Sequence, residues 1–139
     1  MAVRYVPYSG ESVSVQWRTV LRAADRKGIW FDLNSGHRTF AQQKRLWDAY
    51  QRYLNGGPWA PLAAFPSCRA PHVRCGRPDH ALDVNSRDGG EQRLQNWINS
   101  HRGVRVRGRA SNTVPGEAWH LELPRLALAW LYFKYRRFR

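Results

Sequence analysis

The chain has 139 residues, 42% of them hydrophobic and 13% aromatic, and its 23 Lys+Arg against 10 Asp+Glu give a formal net charge of +13. That length fits one compact domain, residues 1–139, and that apolar content excludes a disordered chain. No stretch approaches the roughly 20 apolar residues of a membrane span, and the N-terminus MAVRYVPYSGES lacks the apolar centre of a signal peptide.

In chain order, Val13, Trp17, Val20, Leu21 and Ala24 recur at helical spacing and predict a helix over about 12–27, stopped by Gly28. Residues 29–33, Ile-Trp-Phe-Asp-Leu, read as a short strand. A turn at 34–36 leads into a second helix over about 39–54, with Phe40, Gln43, Leu46, Trp47, Tyr50 and Leu54 on one side. Five prolines between 56 and 78 make a long irregular loop, and a loop that long in a small domain is often functional. A strand follows at 80–84, then a helix over about 91–101, with Leu94, Trp97 and Ile98 facing inward. Alternation at 104–106 and at 118–123 predicts two more strands. Pro124 opens a C-terminal helix that runs into a basic tail, together 124–139. The expected fold class is α+β, a small, largely antiparallel sheet with flanking helices.

Three segments carry residues suited to chemistry. Glu117-Ala-Trp-His120 offers a carboxylate and an imidazole three apart. A catalytic zinc takes three protein ligands and leaves one position for water, and a nearby carboxylate can accept that water's proton. Residues 117 and 120 would face opposite ways in a regular strand, so Glu117 is expected in a turn just before it. Taken alone, this fragment also reads as an ordinary Glu and a half-buried His. The segment 67–84 brings together His72, His80, Asp79, Asp83, Cys68 and Cys75. Asp83 in an apolar strand calls for a partner or a metal. The cysteines read equally as a local disulfide or, if the chain is made in the cytoplasm, as free thiols; a structural zinc on Cys68, His72, Cys75 and His80 is a further reading. In Ser35-Gly-His-Arg38-Thr39, Arg38 at a strand end can present its forked donors to a substrate carboxylate or oxyanion, or it is surface charge.

In this order the three segments resemble the zinc D,D-carboxypeptidase and endolysin peptidase family (M15 type), whose fold is shared with the Hedgehog signalling domain. The family pattern runs Ser-Gly-Tyr-Arg-Ser with a Gln five residues after the Arg, then Ser-x-His-x-x-Gly-x-Ala-x-Asp, then Glu-x-Trp-His. Here Ser35-Gly36-His37-Arg38-Thr39 with Gln43 matches the first, and Glu117, Trp119 and His120 match the last without change. In the middle, Ala81 and Asp83 fit, but Gly76 stands where the first His belongs. His72 lies upstream in a lengthened version of that motif, and His80 is the alternative.

The resemblance implies a Hedgehog/D,D-peptidase-like fold and one Zn2+, held by a His, Asp83 and His120. It implies Glu117 as general base, Arg38 as a catalytic donor, and hydrolysis of bacterial peptidoglycan peptides. Gln43, Trp119 and His80 are the expected substrate contacts, and Glu122 the expected partner behind His120. Strand parity favours His72 as the third ligand, since residues 81 and 83 share a face and residue 80 points to the other. A phage or prophage endolysin is the form expected: monomeric, without a membrane span, made in the cytoplasm without a signal and acting on the wall. The charge of +13 fits anionic cell-wall polymers. The same charge fits a nucleic-acid-binding module, and an inactive zinc-bearing wall-binding domain is a third reading; with the motifs in place, nucleic acid is not the expected partner. The bond cut stays open among L-Ala–D-Glu, D-Ala–D-Ala and cross-link bonds.

Overall fold

The computed structural model describes residues 2–138; Arg139, the last residue of the basic tail, lies outside the described residues. The chain opens with an antiparallel hairpin, β1 (Tyr5–Tyr8) and β2 (Glu11–Ser14), in which Val6 faces Val13. The helix α1 (Val15–Arg26) starts three residues later than its periodicity suggests, because Ser12 to Ser14 pair in the hairpin instead. Ser14 caps it by accepting from the Trp17 backbone N–H at 3.1 Å, while its hydroxyl donates to the Pro78 carbonyl at 2.8 Å. One residue thus ends the hairpin, starts the helix and anchors the long loop.

A second sheet has the order β3 (Leu33–Ser35), β4 (Leu82–Val84), β5 (His120–Leu121), all antiparallel. The first strand of this sheet is shifted from the expected 29–33 to 33–35. Ile29 and Phe31 pack beside the core without pairing in the sheet. The register sets Leu82 opposite Leu121 and Asp83 opposite His120. Leu82, Val84 and Leu121 are buried, and Asp83 points to the other face.

The core lies between this sheet and the helices α1, α3 (Gly90–Asn99), α4 (Arg102–Arg107) and α5 (Arg125–Tyr135); a 3-10 turn, Arg136–Phe138, ends the described chain. Trp17, Val20 and Leu21 of α1, Leu94 and Ile98 of α3 and Leu128 and Leu131 of α5 are fully buried. Each such side chain contributes about 1.5 to 3 kcal/mol by leaving water. The expected strand at 104–106 is instead the short helix α4. Three alternating residues cannot separate a period of 2 from one of 3.6. Here Val104 is buried and Gly103 lies so close to the Trp130 ring that a Cβ would collide with it. No helix among the described residues is long and apolar enough to cross a membrane.

The helix α2 (Phe40–Leu54) stands outside this core. Thr39 and Gln42 close a capping box at its start. Gln43 is its one buried residue; Phe40 and Leu54 are exposed, and Trp47 meets Phe65 of the long loop edge-on. The loop itself is closed between Cys68 and Cys75 by a disulfide.

Candidate metal centre and cleft

His72, Asp83 and His120 converge with one ligand atom each, all within 4.8 Å of one another. Two come from the sheet: as register partners on adjacent strands, Asp83 and His120 project to one face. The third comes from the disulfide-closed loop. Its backbone is held where the Arg38 N–H donates to the His72 carbonyl at 2.8 Å and the Ala81 N–H to the Pro71 carbonyl at 2.7 Å.

The tautomers follow from the partners. His72 Nδ1 lies 2.8 Å from the Gly36 carbonyl, an acceptor only, so Nδ1 carries the proton. A neutral His72 then turns the bare Nε2 toward Asp83 Oδ1 at 3.1 Å. His120 Nε2 lies 3.0 Å from Glu122 Oε2, which assigns the proton there and leaves Nδ1 3.6 Å from Asp83 Oδ1. Two imidazole lone pairs and a carboxylate therefore aim at one point. Such a donor set suits a divalent cation, and at Zn–ligand bonds of about 2.0–2.1 Å the ligands of a tetrahedral zinc stand ~3.4 Å apart. The residues fit a zinc ion. Gly36 serves the site through its backbone: a Cβ there would strike the Ser12 carbonyl, so only glycine brings its own carbonyl to His72.

The Asp83 carboxyl is held well below the ordinary carboxylate range. Burial alone would raise it, and the adjoining His120 and His72 rings together with the Arg38 charge outweigh that. Arg38 Nη2 lies 3.4 Å from Asp83 Oδ2, and its Nη1 lies 3.5 Å from Gln43 Oε1. Glu117 sits in the turn before β5, where the His120 N–H donates to the Glu117 carbonyl at 3.0 Å. Its carboxylate is partly exposed, 3.8 Å from His120 Nδ1.

These groups line an open cleft of about 410 Å³, walled by Leu46 and Pro61 to Ala64 on one side and by Val114 and Trp119 on the other. Arg38, Gln43 and Trp119 are all in it, but not equally. Trp119 is 40% exposed, whereas Gln43 is 2% exposed and donates from Nε2 to the Ala64 carbonyl at 2.9 Å. Gln43, expected as a substrate contact, lines the cleft but is engaged by Arg38 and by the cleft wall. The expected place of His80 is corrected. It is fully buried two residues before β4, its Nε2 accepting from the Ser14 N–H at 3.0 Å and its Nδ1 3.0 Å from the Ala81 carbonyl. Desolvation, with smaller contributions from His37 and His72, pushes its pKa down to about 3 against the opposing pull of Ala81 and Asp79. A neutral His in a packed interior is not available to substrate.

Sequence reasoning passed over Arg74 and Thr113. Both reach Glu122 from opposite sides, Arg74 at Oε1 and Thr113 at Oε2. In so arginine-rich a chain no sequence signal distinguishes Arg74.

No protein-family model matches the sequence, and no curated protein matches it significantly. Solved structures do match. The structure of VanYB in complex with D-alanine-D-alanine aligns with a TM-score of 0.56 at 19% identity, covering 96% of this chain and 84% of that one. A Glu-to-Ala mutant of the vancomycin resistance D,D-pentapeptidase VanY from a VanB-type cassette, in complex with Zn(II), aligns at 0.51 and 18%, covering 94% and 84%. The chain therefore has the α+β fold of these D,D-peptidases over nearly its whole length.

Proposed function

We propose that the chain is a single catalytic domain, a mononuclear zinc peptidase that hydrolyses peptide bonds of bacterial peptidoglycan. The observation that carries this is the convergence of His72 Nε2, Asp83 Oδ1 and His120 Nδ1 with the Glu117 carboxylate beside them at the floor of an open cleft. His72, Asp83 and His120 would hold the Zn2+, which would polarise the scissile carbonyl and acidify the attacking water. Glu117 takes the water proton on a carboxylate oxygen and passes it to the leaving amine nitrogen. Arg38 directs its guanidinium at the oxygen that gains charge, and Trp119 forms a side of the cleft against which the peptide lies. The VanYB complex holds D-alanine-D-alanine, which supports a substrate containing D-residues.

A phage or prophage endolysin is the setting we favour: a monomer made in the cytoplasm and released onto the wall. The charge of +13 supports capture on anionic wall polymers. The test is digestion of purified peptidoglycan, with fragments read by mass spectrometry, before and after chelation and with Glu117→Ala. Release of peptide fragments by the zinc-loaded protein, lost on chelation and restored by zinc, is expected. Glu117→Ala is expected to keep one zinc and its melting temperature while losing orders of magnitude in rate. Undiminished cleavage by the chelated protein or by Glu117→Ala ends this reading, and the mass of the fragments identifies the bond.

A further inference from the structure

We propose that Arg74 is a positioning residue for His120, acting through Glu122, so that the disulfide-closed loop organises both histidines of the metal centre. The proposal rests on the zinc reading above. His72 is the direct contribution of the loop; Arg74, two residues on, reaches the other side of the site. Its Nη2 donates to Glu122 Oε1, while Glu122 Oε2 accepts from Thr113 Oγ1 and lies 3.0 Å from His120 Nε2. Each Glu122 oxygen is engaged.

This engagement matters because a ligating His is held by what its other nitrogen does. A charged acceptor on Nε2 keeps the proton there, leaves Nδ1 bare and raises its basicity. Glu122 does this only while its own rotamer is fixed, and Arg74 is the charged group that fixes it. Arg74 is in turn held tightly. Its Nη1 donates to the Asp79 carbonyl at 2.7 Å, and its backbone N–H to the Ala70 carbonyl at 3.1 Å. Its φ of 32° is left-handed, uncommon for a residue with a side chain and maintained where the surroundings dictate it. Those surroundings are His72 before it and the disulfide-bonded Cys75 after it.

Arg77 supplies the control. It donates to both oxygens of the buried Asp79, at 3.0 and 2.7 Å, and has no bond to Glu122. A purely structural role for Arg74 through Asp79 would therefore be shared by Arg77.

The experiment measures the Zn2+ dissociation constant by chelator competition, with melting temperatures alongside. Arg74→Ala is expected to weaken zinc about 10- to 100-fold, the usual range for an outer partner of a ligand. Arg74→Lys should recover part of that loss, and Arg77→Ala should stay within about 3-fold of wild type on the same scale. Arg74→Ala combined with Glu122→Gln should be no weaker than Glu122→Gln alone, since the two act in series. The second readout needs neither zinc nor activity. Long-range 15N–1H correlation on metal-free protein should report His120 as the Nε2–H tautomer in wild type and as a mixture in Arg74→Ala. Equal weakening by Arg74→Ala and Arg77→Ala, or an unchanged tautomer, overturns the proposal. If Arg74→Ala does not fold, Arg74→Lys and Arg74→Gln are compared instead; indistinguishable zinc affinities and His120 tautomers in both, equal to wild type, overturn it equally. A wild type that takes up no zinc sinks the peptidase reading, whereas the tautomer result bears on Arg74 alone.

Discussion

Asp83 and His120 are register partners on β4 and β5, and Asp83 Oδ1 lies 3.6 Å from His120 Nδ1. Because the ladder holds their backbones, this half of the metal centre is as rigid as the sheet. The other half, His72, arrives from a loop and depends on three attachments: the Gly36 carbonyl, the Arg38 N–H and the disulfide. Two donors come from the core of the fold and one from its periphery.

That division sharpens the assignment of ligands. His72→Ala removes a donor that faces Asp83 and is expected to abolish most zinc binding while leaving the sheet intact. His80→Ala should keep the zinc but lower stability, because the Ser14 N–H loses its acceptor in a buried place at about 1–3 kcal/mol, with a cavity added. Zinc content by atomic absorption and melting temperature separate the two. Loss of metal in His80→Ala with retention in His72→Ala would reverse the assignment.

How much of this was legible in the sequence depends on which interaction sets each element. The helices at 40–54 and 90–99 lie close to the spans their apolar spacing suggests, and a capping box starts the first. The hairpin at 5–14 did not stand out, because Ser12 to Ser14 also suit a helix start and their pairing with β1 is decided by tertiary contact. Arg38, Asp83, Glu117 and His120 stood out in the sequence by residue type and motif, and the structure brings all four to one cleft. Buried Gln43 and His80 have the same residue types as exposed site groups, and only packing tells them apart. The disulfide was an even choice in sequence, since a separation of seven permits the bridge without requiring it.

Arg38 is expected to act on the transition state. Its guanidinium stands at the cleft floor, 3.4 Å from Asp83 and steadied by Gln43. Arg38→Ala should reduce kcat/KM by about 2–4 kcal/mol of transition-state stabilisation, and Arg38→Lys should recover only part because a point charge lacks the forked geometry. Gln43→Ala should give a smaller loss of the same kind, in kcat more than KM. Steady-state kinetics on a soluble muropeptide reads both. Wild-type kinetics in Arg38→Ala would leave it a surface charge.

Reduction of the Cys68–Cys75 bridge should loosen the loop without unfolding the domain. Closing so short a loop stabilises by about 2–3 kcal/mol in the chain-entropy view. The hydrophobic core lies in the helices and sheet, outside that loop. The expected outcome in Cys68→Ser/Cys75→Ser is a lower melting temperature, weaker zinc binding and faster proteolysis within 66–80, with α1, α3 and α5 still protected in hydrogen exchange. Unaltered zinc affinity would show that Gly36 and Arg38 hold His72 without the bridge.

The buried His80 should give the fold an acid-sensitive component. Its ring is neutral in the folded chain, its pKa pushed down to about 3 chiefly by desolvation, while in the unfolded chain it titrates near the ordinary imidazole value of 6.5. Between those values the unfolded state binds the extra proton, so stability is full above about pH 6.5 and falls as pH drops toward 3. Through the middle of that window the slope due to this group approaches about 1.4 kcal/mol per pH unit. Asp and Glu side chains titrate over its lower part as well, so the comparison must be with a variant that does not titrate there. His80→Gln retains a side-chain acceptor for the Ser14 N–H and loses the proton site. Urea unfolding of both proteins in metal-free buffer from pH 7 to 4.5 should show the wild type losing stability faster than the variant. Parallel curves would mean that His80 is charged in the fold or that water reaches it.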